Sequence, residues 1–114
     1  MDKRLKEELD RAPEGTREAL NAFKKSGEIG QLEIFAKGVI ARNIDDAYAV
    51  ILNEAVDSTR MVDDLGIDSL TMLEIAMTFE DALGIELIDD ELSGIKTYGG
   101  MREYLVEQIK TESP

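Results

Sequence analysis

Six apolar residues, Met72, Ile75, Ala76, Phe79, Ala82 and Leu83, recur at the spacing of one face of an α-helix, and Gly84 follows at once. A second stripe, Leu32, Phe35, Ala36, Val39 and Ile40, repeats the pattern, although Gly38 inside it costs about 1 kcal/mol relative to alanine. Tyr48, Ile51, Leu52 and Ala55 continue the same phase, so Asp45 or Asp46 either caps a shorter helix or sits in one bent helix. Tyr98, Met101, Leu105 and Ile109 mark a last helix, capped by Thr97 and weakened in its first turn by Gly99 and Gly100. "DDEL" at 89–92 caps a short helix broken by Gly94. Upstream, Leu5 and Leu9 share one face of a charged segment, and Pro13 and Gly15 break the chain. Thr16 is placed to cap a helix carrying Leu20 and Phe23, which ends in two lysines and Gly27. Residues 57–68 read as a loop, and "IELID" at 85–89 is the only short strand candidate. The pattern predicts an all-α domain, a small helical bundle.

Composition narrows the function. The 114 residues suit one domain, and with 5% aromatics its core must be aliphatic. Aspartate and glutamate number 25 against 13 lysines and arginines, a net charge of -12 that repels nucleic acid and favours a basic protein partner. Without histidine or cysteine, neither a Ser-His-Asp nor a Cys-His site can form, and thiolate metal sites and disulfides are excluded. Carboxylate chemistry stays open in principle, but "DDLGID" lacks the alternating acids and central glycine of a calcium loop. No catalytic and no metal site is expected. The charged first twenty residues are unlike a secretory signal, and no apolar run approaches the ~18 residues of a membrane span. These features predict a cytoplasmic protein.

The stretch "DDLGIDSL", Asp63 to Leu70, opens the clearest helix. Ser69 is a good N-cap, and capping alone accounts for it. Asp68 could cap equally well, which would free Ser69 for another task. A helix N-terminus also favours a phosphate placed beside it. At 100° per residue, Leu70, Glu74, Met77 and Asp81 fall opposite the core stripe, an apolar-and-acidic face suited to a basic, partly apolar partner groove. Isolated exposed apolar residues are also ordinary, and an added N-terminal helix covering Met77 would account for that residue as well.

"DDLGIDSLTMLEI" resembles the modification motif of acyl carrier proteins, and the resemblance continues through "FEDALGIELIDDEL" and "IKTYGGMREYL". It spans roughly residues 32 to 107. It implies a four-helix bundle of acyl-carrier-protein type with an additional N-terminal helical segment. It further implies a protein that is no enzyme, carrying acyl or polyketide intermediates as thioesters on a covalent 4'-phosphopantetheine arm. Ser69 matches the attachment serine. Asp68, Leu70, Glu74, Met77, Glu80, Asp81 and Asp89 match partner-recognition positions, and Leu73, Ala76 and Phe79 match residues bordering an acyl pocket or, more simply, the core. The implied partners are a phosphopantetheinyl transferase acting with Mg²⁺, then a ketoacyl synthase, acyltransferase or related enzyme with a basic docking patch. The arm would bring its own thiol and the transferase its own base, so the missing cysteine and histidine are no obstacle.

Departures accompany the match. Thr71 replaces a common acid, Arg102 stands where an apolar residue is usual, and Gly99–Gly100 loosen the last helix. Residues 1–28 are expected as a helical, partly disordered extension that packs on the bundle or binds a dedicated partner. The carrier domain is expected at 29–110, with 111–114 as a flexible tail and the chain a monomer. The alternative function is an unmodified acidic helical adaptor of the same fold.

Overall fold

Apolar stripes at helical spacing need partners to bury them, and the computed structural model, which describes residues 3–112, pairs them in an all-α bundle. Seven α-helices follow one another: α1 (Lys3–Arg11), α2 (Thr16–Ser26), α3 (Ile29–Asn43), α4 (Ala49–Asn53), α5 (Ser69–Leu83), α6 (Asp89–Ser93) and α7 (Tyr98–Glu112). Among the described residues there is no strand. "IELID" is irregular up to α6, and the lone β-bridge joins Arg60 to Thr97. Of the tail expected at 111–114, Thr111 and Glu112 belong to α7, and 113–114 lie outside the described residues.

The core is aliphatic, as the composition requires. Leu20, Leu32, Phe35, Ile40, Ile75, Phe79 and Leu105 are fully buried. Phe35 of α3 meets Phe79 of α5 with ring centroids 5.9 Å apart and planes tilted by 59°, a favourable aromatic arrangement. The α3 phase is broken rather than bent. α3 ends at Asn43, Asp45 accepts the Ala47 N–H to cap a 3₁₀ turn at Asp46–Tyr48, and α4 follows. Gly27 and Gly84 close α2 and α5 in the left-handed conformation that C-caps favour.

α1 and α2 pack on this bundle. Leu5 and Leu9 are buried, and α2 runs along α3 with Thr16, Ala19 and Leu20 inward. Thr16 differs from expectation. It is the first helical residue after Gly15, is 2% exposed, and donates its hydroxyl to the Pro13 carbonyl at 2.7 Å rather than capping the helix. Its neighbour explains Gly38: a Cβ there would lie 2.1 Å from Thr16 Oγ1. The glycine that weakens α3 as an isolated helix is what lets α2 approach it.

Candidate attachment site and docking face

The loop before Ser69 is held from within and from both sides. Met61, Leu65 and Ile67 are buried and Asp63 is exposed, while the half-buried Asp64 accepts the Arg60 N–H at 2.7 Å. Gly66 takes φ 67°, and a Cβ there would meet the Tyr48 ring at 2.8 Å, so "LGI" needs its glycine twice over. Met61 N–H donates to the Lys96 carbonyl at 2.9 Å, and Tyr98 N–H donates to the Thr59 carbonyl at 2.8 Å. The two departures in α7 belong to the same joint. A Cβ on Gly99 would come within 2.9 Å of the Asp57 backbone, and Arg102 holds the Asp57 carboxylate with two hydrogen bonds of 2.6 and 2.8 Å. Arg102 also reaches Glu33 of α3 at 3.2 Å, where the Tyr98 hydroxyl donates as well. The Arg102 guanidinium holds the Asp57 carboxyl below its usual value, and burial beside Glu33 keeps the Tyr98 phenol protonated well above its own.

This loop delivers Asp68 and Ser69 to the start of α5. Asp68 is the N-cap, and its Oδ1 accepts the Thr71 N–H at 2.8 Å. That hydrogen bond lowers the Asp68 pKa from its usual value. With the cap supplied by Asp68, Ser69 is free of it. Its side chain is exposed, and its hydroxyl has no hydrogen-bond partner among the described residues. The positive end of the α5 dipole lies beside it. A phosphodiester on Ser69 Oγ therefore fits these residues: the oxygen is accessible, uncommitted and next to free helix-end charge.

Below Ser69, the outward stripe stands as the spacing predicts. Leu70 is 65% exposed, Met77 is 47% exposed, and Glu74 and Asp81 are exposed beside them. Leu73, matched to the acyl pocket, is 43% exposed and joins Leu70 and Met77 on the surface, whereas Ala76 and Phe79 are buried. Glu80, matched to partner recognition, is half-buried, and its Oε2 accepts the Leu87 N–H at 2.9 Å. Asp89 is exposed at the start of α6. Tyr104 orders that region by accepting the Ile88 N–H and donating to Glu91. Spacing within α5 could not reveal the Glu80 bond, because its partner is seven residues away in an irregular segment.

One group from the extension enters this face. Arg4 of α1 pairs with Asp81 at 2.9 Å and donates to the Glu74 carbonyl at 3.3 Å and the Thr78 hydroxyl at 3.2 Å. Thr78 is fully buried in that contact region. Among the described residues no cluster of acidic side chains could hold a metal ion, and no helix is long and apolar enough to cross a membrane.

The architecture is that of a helical carrier domain, with an accessible serine at the head of its central helix. Residues 44–105 match the family described as the phosphopantetheine attachment site. The chain is 36% identical over 86 residues to the meromycolate extension acyl carrier protein of Mycobacterium tuberculosis, covering 75% of this chain and 72% of that protein. It is 39% identical over 66 residues to the acyl carrier protein of Thermobifida fusca, covering 58% of this chain and 84% of that one. The acyl carrier protein of Rhodococcus erythropolis is 35% identical over 82 residues, covering 72% and 87%. The chain belongs to the phosphopantetheine-binding acyl carrier protein family. It is a carrier rather than an enzyme, with 4'-phosphopantetheine as its covalent prosthetic group, and it works with a phosphopantetheinyl transferase and acyl-processing enzymes.

Proposed function

We propose that Ser69 is the attachment residue and that the protein carries fatty-acyl intermediates as thioesters on the arm. The observation that carries this reading is the division of labour at the head of α5: Asp68 caps the helix, and Ser69 Oγ is left exposed and unbonded. In the transfer, the Ser69 hydroxyl oxygen forms the new P–O bond, its proton passes to a base of the transferase, and the nucleotide half of coenzyme A leaves. The arm, once in place, supplies the thiol that this cysteine-free chain lacks. Asp68, Leu70, Glu74, Met77 and Asp89 present an acidic and apolar surface to a basic patch on a ketoacyl synthase, acyltransferase or related enzyme, with Asp81 at the lower end of the same face paired to Arg4. Glu80 acts from behind by fixing the segment before α6. Ala76 and Phe79 would border an acyl chain entering the bundle, with Leu73 at its rim. Relatives named for meromycolate extension favour a fatty-acyl over a polyketide cargo. The carrier unit is assigned to residues 29–110, acting as a cytoplasmic monomer.

Intact mass after incubation of the full chain with coenzyme A, Mg²⁺ and a broad-range transferase tests the assignment. One phosphopantetheine adduct is expected on the wild type and none on Ser69→Ala. An adduct that survives the substitution, or no adduct at all, overturns it.

A further inference from the structure

The charge of this protein is unevenly shared. Residues 1–28 hold seven basic and seven acidic residues, whereas the rest of the chain holds six basic and eighteen acidic ones. The excess negative charge therefore sits wholly on the carrier part, whereas the extension is balanced in charge. Arg4 brings one of them to the docking face. It spends three hydrogen bonds on α5: the Asp81 carboxylate at 2.9 Å, the Thr78 hydroxyl at 3.2 Å and the Glu74 carbonyl at 3.3 Å. Leu5 and Leu9, buried on the inner side of α1, set the helix down where Arg4 reaches these atoms. The Asp81 and Arg4 side chains remain 39% and 34% exposed, so the pair lies at the surface where a docking enzyme would approach. A guanidinium bound to a carboxylate is the contact that a partner's arginine would make.

We propose that Arg4 is an intramolecular occupant of the lower docking face, standing where a partner's cation would otherwise bind Asp81. The enzymes this carrier serves then seat a compact basic patch on the upper half of α5. Asp68 and Glu74 supply the charge there, and Leu70, Leu73 and Met77 the apolar contact. A second cation opposite Asp81 would have to displace Arg4, which disfavours enzymes with a longer basic patch. Arg4 thereby sets partner selectivity, and the inference rests on the docking reading of α5 given above.

The test is the KM of the apo full chain for a broad-range phosphopantetheinyl transferase at low ionic strength, measured for wild type, Arg4→Gln, Asp81→Asn and the double variant. Arg4→Gln is expected to lower KM by roughly threefold or more, because it returns Asp81 to the basic partner. Asp81→Asn is then expected to raise KM by a larger factor in the Arg4→Gln background than in the wild-type background. Equal factors in the two backgrounds, or an Arg4→Gln KM equal to wild type, overturn the proposal. Arg4→Lys keeps the charge but not the three-way contact. Its KM is expected closer to wild type than to Arg4→Gln, and a value equal to that of Arg4→Gln counts against the proposal, because loosening of α1 rather than release of Asp81 would then set KM. The docking reading is tested separately by Glu74→Gln, expected to raise KM in every background. If it does not, the α5 face itself is wrong, whatever Arg4 does.

Discussion

The two helices of the extension meet the carrier bundle in opposite ways. α2 joins α3 by shape: Leu20 is fully buried, and Thr16 occupies the space that a side chain at position 38 would need. α1 also buries two leucines, but its hydrogen bonds to α5 come from one arginine at the surface. A packed joint of the first kind has no partner in solvent to exchange with. A polar joint of the second kind competes with water, salt and any docking cation, so it can be read or displaced from outside. The difference makes α2 part of the fold and α1 part of the surface that partners meet.

The largest effect should come from hollowing out the packed joint. Leu20→Ala is expected to cost about 2–5 kcal/mol, read by denaturant or thermal unfolding. Gly38→Ala is the sharper test because the two accounts predict opposite signs. If α2 did not press on α3, the alanine would stabilise the helix by about 0.8–1 kcal/mol. With Thr16 Oγ1 2.1 Å from the new Cβ, a loss of about 1–3 kcal/mol is expected instead. Thr16→Gly should then reduce that loss, and additive effects in the double variant would break the steric account.

Two aspartates at the ends of the loop before α5 should respond to acid where the packed joint does not. Asp57 and Asp68 both sit below the usual aspartate value of 3.8, held there by Arg102 and by the Thr71 N–H respectively. Their folded pKa values are lowered, so the unfolded chain binds more protons in this range. The contribution is complete above the unfolded value and is lost as pH falls through the folded one. Asp68→Asn keeps a capping side chain but removes the titration. Its thermal midpoint should match wild type near neutrality and fall less steeply below about pH 4. A wild-type slope in the variant would remove Asp68 from the acid response. The smallest expected effect on stability is that of Arg4→Gln, under about 1 kcal/mol for so exposed a pair. A larger loss, read in the same unfolding assay, would make α1 a structural joint like α2 and dissolve the contrast.

Much of this was legible before any coordinates. The α5 stripe placed Ile75, Ala76, Phe79 and Ala82 inward and Leu70, Glu74, Met77 and Asp81 outward, because a 3.6-residue period needs only the chain itself. Tandem capping residues left the cap open between Asp68 and Ser69, and the geometry gives it to Asp68. Other residues were visible only as oddities. Gly38 looked like a weak point in a helix, Gly99 like a loose first turn, and Arg102 like a charge in an apolar position. Each signals that another segment comes close, but not which one. The answers, Thr16 for Gly38 and Asp57 for the other two, lie 22 to 45 residues away along the sequence.

The sequence by itself determined an all-α bundle, its inward and outward faces, and two capping residues in tandem at the head of its central helix. These follow from local periodicity and capping chemistry, which act over a few residues. The tertiary structure alone decided that Glu80 braces the neighbouring loop, that Leu73 faces solvent and that Thr16 is a steric stop. It also decided that Arg4 lies across the docking face. Those outcomes depend on which helices meet and at what height, and Arg4 and Asp81, 77 positions apart in the sequence, become neighbours only once the chain between them has folded.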